Sequence, residues 1–478
     1  MQDQIILFLP ELFFLLMALV LFGLTLGSGR PKPRRDYYVA LVLGAVGLVL
    51  TLGSIKAEGH LFFQAYRLDL FSQLFKCFLS FGLFLVICIS SRLDDIEERR
   101  HPEFYLFLTT STLGMMLLVS AVELITLFVA LELSSYSLYI LIPLRKGSSH
   151  STEAGIKFFF IGAMASATML FGMSYLYGVC HTTYLTGILS SLPAQIHAPG
   201  AVIGMVLTLC GLFFKLAVFP FHNWAPDVYE GGTNQVITFI ATASKLAGMA
   251  ILIRLTALTN GSSAYLINLL IVLSMIGMTF GNLVAIKQKD FKRLLAYSSI
   301  AHAGYILIGI LTMSKLGYSS VIYYALAYLI LNFACFMVLI TTSEKGKNVA
   351  IEDFNGLYSR APLLAMTLLL GVFGLAGLPP TGGFTSKFLV FIAAIEKGYF
   401  WLVVFAMVNV TISLYYYINV VKAAYLNPPA EGSEKIKISV PLRLLNYVVI
   451  IIILWLGLYP ATLLDRARTA AEAVLAVL

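Results

Sequence analysis

Four ionisable residues lie deep inside long apolar runs: Glu132, Lys215, Lys245 and Lys387. A charge at mid-bilayer costs about 2.5–3.5 kcal/mol on insertion scales, so a residue kept there defaults to a task such as proton or ion transfer. A structural ion pair is the competing explanation. Glu132 sits in LFVALELSSYSLYIL, and its stem is too short to reach an interface. Lys215, in CGLFFKLAVFPFHNWAPD, precedes Pro220 and Pro226, each of which lacks a backbone N–H. Carbonyls freed by such a break can hold water beside an ammonium. Lys245, in TFIATASKLAGMAILI, has Ala241, Ala243, Ser244, Ala247 and Gly248 around it, small residues that permit close helix contact. Lys387 follows Pro379-Pro380 and Gly382-Gly383, the strongest helix breaker in the chain.

A second rank is His302, His222, Glu123 and Lys157. An imidazole changes charge near neutral pH and suits a relay, although a lone buried histidine is as often a packed core residue. His302 lies in AYSSIAHAGYILIG and His222 flanks the first break. Glu123 is near the head of its run and could snorkel; Lys157 begins its run and is expected to pair with Glu132 or to snorkel. The seven histidines show no HxxxH or HExxH spacing, and the five cysteines (Cys77, Cys88, Cys180, Cys210, Cys335) form no CxxC pair. No glycine-rich phosphate loop is present either. No metal, nucleotide or iron–sulfur site is therefore expected on this chain.

The elements that position these residues are membrane spans. Of 478 residues 59% are hydrophobic and only 12% charged, against roughly 25% charged in a soluble domain. Mean hydropathy is +0.89. A soluble enzyme, a disordered chain and a fibrous protein are excluded, and a polytopic membrane protein remains. A crossing needs roughly 20 apolar residues. About fourteen such runs lie near 4–27, 37–55, 68–91, 104–120, 122–143, 154–179, 200–220, 234–257, 264–286, 292–313, 318–342, 361–377, 399–425 and 441–460. The twelfth is followed by a further apolar piece near 381–396, and the long stretch 104–143 is split near Ser120. The first run has no basic lead, as expected of a retained span and not of a cleaved signal.

The net charge of +8 fits basic loops on the cytoplasmic side better than nucleic-acid binding. Loops after odd spans carry Arg30, Lys32, Arg34 and Arg35, then Arg92, Arg99 and Arg100, then Arg145 and Lys146, and so on to Lys435, Lys437 and Arg443. Loops after even spans are nearly bare, with Lys56, Lys315 and Lys397 as the main exceptions. The alternation places both termini on the outer side, periplasmic in a bacterium, with the tail 461–478 as a short amphipathic interfacial helix. Two broken spans with a lysine near each suggest an internal duplication. If span 7 matches span 12, spans 4–8 match spans 9–13, and five spans per block force the second block to be inverted. The expected divisions are an N-terminal three-helix segment (1–103), two repeats (104–257 and 264–425) and a C-terminal helix with its tail (426–478).

Three segments, FFKLAVFPFHNWAPDVYEG, KDFKRLLAYSSIAHAGY and LAGLPPTGGFTSKFLVF, resemble the signatures of the antiporter-like membrane subunits of respiratory complex I. The resemblance covers nearly the whole chain. It implies fourteen transmembrane helices, two inverted five-helix repeats with helices 7 and 12 discontinuous, and a hydrated polar axis in the membrane plane. By motif it makes Glu132 and Lys215 the input pair of a proton relay, with Lys245 and His302 continuing it and Lys387 facing the exit. It also implies a translocase powered by NADH-to-quinone electron transfer on other subunits. NAD, FMN, iron–sulfur clusters and quinone would then belong to those partners, and this chain would sit among antiporter-like and quinone-site subunits in the inner membrane. An Mrp-type cation/proton antiporter subunit is the alternative.

Overall fold

The computed structural model describes every residue except 1, 28–30, 260, 262, 430, 431, 433, 477 and 478. Arg30, one of the expected loop charges, lies outside the described residues. The chain forms two compact units: residues 1–224, 231–269 and 468–478, and residues 225–230 and 270–467.

Unit 1 holds α1 (Leu9–Thr25), α2 (Pro33–Gly53), a hairpin of β1 (Gly59–Leu61) and β2 (Tyr66–Leu68), α3 (Leu70–Ile89), α4 (His101–Ser120), α5 (Leu124–Leu141), α6 (Ser149–Cys180) and α7 (Pro199–Leu216). Next come α8 (Trp224–Gly231), most of which belongs to unit 2, and α9 (Asn234–Ala257) of unit 1. Then follow α10 (Ala264–Ala285), α11 (Phe291–Leu311), α12 (Lys315–Thr342), α13 (Pro362–Ala376), α14 (Gly382–Glu396), α15 (Phe400–Tyr425), α16 (Val440–Leu458) and α17 (Ala461–Leu475). Among the described residues twelve helices are long and apolar enough to cross a membrane, and α1 and α13 are shorter apolar helices. Together they account for the fourteen expected runs. The expected split near Ser120 is real: the backbone turns extended at Ala121, and α5 starts three residues later on the cap Glu123.

Burial sorts the helices as lipid would require. Every residue of α9 is buried, and α11 nearly so. The flanks of α2 and α16 instead expose Val42, Val49, Leu444 and Ile451, apolar side chains that need a hydrocarbon neighbour. With no hydrophobic drive between helices in lipid, packing relies on close backbone approach at small residues. A Cβ on Gly172 of α6 would come within 2.3 Å of the Thr208 nitrogen of α7. A Cβ on Gly114 of α4 would meet the Ser134 nitrogen of α5 at 2.6 Å. These contacts fix the backbone that carries Lys215 and its partner. The hairpin pairs Gly59 with Leu68, His60 with Arg67 and Leu61 with Tyr66.

Candidate functional site

The first break begins earlier than its prolines. α7 ends at Leu216, and Ala217 takes a left-handed conformation with φ 58°. The Val218 amide then bonds back to the Phe213 carbonyl at 2.8 Å, and the Trp224 indole donates to the Phe214 carbonyl at 3.0 Å. This is a helix stop that satisfies its own last carbonyls. One carbonyl, that of Leu216, is taken by the Lys245 ammonium at 3.2 Å.

Lys215, buried in the last turn of α7, donates to Ser134 Oγ of α5 at 2.8 Å. Glu132, two residues before that serine and half-buried, accepts from Ser166 Oγ of α6. The expected input pair is thus not in direct contact. Among the described residues no ion pair within 4.0 Å joins Glu132 and Lys215, and each head group has its own hydroxyl. Nor does Lys157 pair with Glu132. It pairs with Glu153 one turn back on its own helix at 2.8 Å, Glu153 exposed and Lys157 partly so. A pair four residues apart on one helix forms with less ordering than one across helices.

Lys245 stands where α9 leaves a π-helical stretch, Ile240–Ser244. Such widened turns shift the hydrogen-bond register and recur at functional sites. Lys215 and Lys245 are therefore neighbours: the latter holds the carbonyl of the residue that follows the former. His222, in the break itself, is buried and stacks on Phe219 with centroids 5.2 Å apart. Glu123 does not snorkel. It caps α5, its Oε2 accepting from the Thr126 amide at 2.7 Å and the Thr126 hydroxyl at 2.8 Å. Burial raises its pKa, but the hydrogen bonds from Thr126 and Thr183 outweigh that and hold the carboxyl below the ordinary glutamate value.

In unit 2 the second break repeats the device. α13 stops at Ala376 with Gly377 at φ 88°, and the Leu378 amide returns to the Phe373 carbonyl at 2.9 Å. The Lys387 ammonium, from α14, donates to the last carbonyls, Leu375 at 2.8 Å and Ala376 at 3.0 Å. It also lies 4.8 Å from the Tyr305 ring centroid, a cation–π contact. The lysines do not occupy equivalent places. Lys215 precedes its break, whereas Lys387 follows its own and acts, like Lys245, as the cap of a broken helix.

His302 sits among tyrosines. Its Nδ1 bonds the Tyr324 hydroxyl and its Nε2 the Tyr417 hydroxyl at 3.4 Å, while Tyr417 also meets Ser298 Oγ at 2.5 Å. Its ring contacts those of Tyr305 and Tyr328, at 5.9 and 5.4 Å between centroids. Tyr305 thus touches both His302 and Lys387. Asn282 extends the network by donating to Tyr305 at 3.3 Å and accepting from Tyr416 at 3.0 Å. Sequence reasoning missed these tyrosines. The available signal was YALAY, which puts Tyr324 and Tyr328 on one helical face.

It also passed over a second set of buried charges in unit 1. Lys76 of α3 pairs with Glu11 of α1 at 2.7 Å, both fully buried, and Tyr66 donates to the same Glu11 oxygen at 2.8 Å. Arg254 of α9 grips Asp69 with Nη2 at 2.9 and 3.0 Å. Among the described residues no cluster of His, Cys, Asp and Glu could hold a metal ion.

Residues 121–413 match the family described as NADH:quinone oxidoreductase/Mrp antiporter, TM. The chain belongs to this family of membrane proteins. It is 50% identical to NADH-quinone oxidoreductase subunit N 2 of Syntrophobacter fumaroxidans over 98% of this chain and 99% of that one. A chain of respiratory complex I from Thermus thermophilus shares 31% identity with a TM-score of 0.83, covering 95% of this chain and 98% of that one. A chain of the Mrp complex from Dietzia sp. shares the fold, with a TM-score of 0.87 at 20% identity over 99% of this chain and 98% of that one.

Proposed function

We propose that the chain is the proton-translocating subunit of a membrane-bound NADH–quinone oxidoreductase, with Glu132, Lys215, Lys245, His302 and Lys387 as its proton-carrying groups. The observation that carries this reading is the setting of Lys215 and Lys387. Both ammoniums are buried at broken helices, and among the described residues neither has a carboxylate within 4.0 Å. Lys215 is held by the Ser134 hydroxyl, and Lys387 by two carbonyl oxygens and the Tyr305 ring face. Such an ammonium can give a proton to water and take one back without breaking an ion pair, which a merely structural charge has no need to do. The tyrosine hydroxyls on both nitrogens of His302 let the ring accept on one nitrogen while donating on the other.

The full-length similarity to subunit N proteins favours the reductase over an Mrp antiporter, for which the shared fold and the common family model argue. Electron transfer belongs to partner subunits in this reading, with NAD, FMN, iron–sulfur clusters and quinone bound there. The basic loops orient both termini to the periplasm of a bacterial inner membrane. The two five-helix blocks, 104–257 and 264–425, act as inverted repeats, each built around one broken helix. Glu123 and Lys157 serve the ends of their helices, and His222 lines the first break. The test is a Lys215→Ala chain in the assembled complex. Proton pumping is expected to be lost; full quinone reduction with normal pumping defeats the proposal.

A further inference from the structure

The relay leaves unused a continuous set of buried charges in unit 1. Lys76, Glu11, Tyr66, Asp69 and Arg254 are each at most 4% exposed. Asp69, Gln73 and Lys76 fall on one face of α3 by their spacing, and α3 packs along α9, the helix of Lys245. Lys76 meets Glu11, Glu11 meets the Tyr66 hydroxyl, and the Lys76 ammonium lies 5.0 Å from the Tyr66 ring centroid. Tyr66 belongs to the same hairpin strand as Arg67, which reaches Asp69 at 3.4 Å. Arg67 and Arg254 line a cavity of about 40 Å³ together with His60, Gln64, Tyr184 and Thr186, large enough for water.

A structural ion pair would consume its own polar atoms, and this set does not. Glu11 Oε2, Gln73 Oε1 and Arg67 Nη1 are all buried without a protein hydrogen-bond partner. Buried polar atoms without protein partners are satisfied by water. Such atoms beside the Glu11–Lys76 pair and at Arg67, which lines the cavity, make places for water. The hairpin follows span 2, so the charge bias of the loops sets the cavity on the outer side.

We propose that Glu11 and Lys76 form a proton-release station for unit 1, opening outward past Tyr66 and Arg67 and distinct from the Lys387 site of unit 2. The proposal rests on the proton-translocating reading above. In the step, Lys76 passes one proton to Glu11, leaving a neutral amine and a neutral carboxyl. The carboxyl proton leaves through water at Oε2 toward the cavity. Lys76 is then reloaded with one proton from the membrane interior, restoring the pair.

The test uses the assembled complex in sealed vesicles. A Glu11→Gln/Lys76→Met double replacement removes the station while keeping the charge balance, and Tyr66→Phe removes one hydroxyl. The double variant is expected to slow proton release at least fivefold, and Tyr66→Phe at least twofold, each at a normal amount of assembled complex. Infrared difference spectra taken during turnover should show a protonated-carboxyl band that disappears in Glu11→Gln, a signature that a purely structural pair would not give. Wild-type release rates in the double variant, or in Tyr66→Phe should the double variant not assemble, overturn the proposal, as does absence of the band. Lys215→Ala separates the two readings. If it stops pumping while the Glu11 and Lys76 variants pump normally, this station alone is refuted; if all pump normally, the translocation reading is refuted as well.

Discussion

Arg254→Met should be among the most damaging single changes outside the relay. Arg254 holds both carboxylate oxygens of Asp69, at 2.9 and 3.0 Å, and donates Nε to the Val119 carbonyl at 3.2 Å. Both side chains are about 5% exposed. Removing one partner leaves a buried carboxylate with only the Ser72 amide at 2.7 Å and Arg67 at 3.4 Å. Loss of one member of a buried pair costs about 3–5 kcal/mol. Asp69→Asn added to Arg254→Met removes the stranded charge and keeps a side chain able to cap α3. The double variant should cost less than about 2 kcal/mol. Burial raises the Asp69 pKa, yet Arg254, the Ser72 hydrogen bonds and Arg67 together bring it below the ordinary value. A lowered folded-state pKa means that the pair's contribution is complete above the unfolded value and is lost as pH falls through the folded one. The penalty of Arg254→Met should accordingly shrink once the pH drops below about 4. The assay is denaturant unfolding of the detergent-extracted protein at pH 7 and at lower pH. A double variant as unstable as the sum of the two single changes would refute the coupling.

Glu123→Ala should destabilise α5 by about 0.5–2 kcal/mol at neutral pH through loss of the cap. Its folded-state pKa is lowered, so this penalty should fade in thermal unfolding as pH passes down through the carboxylate range. Tyr324→Phe removes a hydrogen bond from His302 Nδ1 and should slow proton pumping in vesicles while the complex assembles normally; an unchanged rate would argue that the histidine is packing only. Gly172→Leu drives a side chain into the backbone of α7 and should abolish stable insertion, read as loss of the chain from membranes, whereas Gly23→Leu, with nothing within 4 Å of its Cβ, should be accepted.

The spans were legible because a bilayer crossing demands a long apolar run, and no other feature of a chain looks like that. The second break could be placed from Pro379-Pro380 and Gly382-Gly383 because those residues cannot continue a helix. The first could be placed only roughly. Its stop is set at Ala217 by backbone hydrogen bonds, three residues before Pro220, and alanine carries no sign of a left-handed turn. The partners of the charges were not legible either. Ser134 is 81 residues from Lys215, and Tyr66 is 55 from Glu11, so nothing local announces them. Glu11, Lys76 and Arg254 escaped notice because they stand toward the ends of their spans, where a charge would be expected to reach water. The π-helical turn before Lys245 depends on hydrogen-bond register and leaves no residue pattern.

The central claim is that the buried lysines and His302 exchange protons through water, sheltered from lipid. The most direct measurement is a membrane structure of the assembled complex that resolves ordered waters around Lys215, Lys245, His302 and Lys387. The account predicts water within hydrogen-bond reach of each of the four and a thread linking successive groups. Side chains enclosed by dry apolar packing, with no solvent against any ammonium, would contradict it.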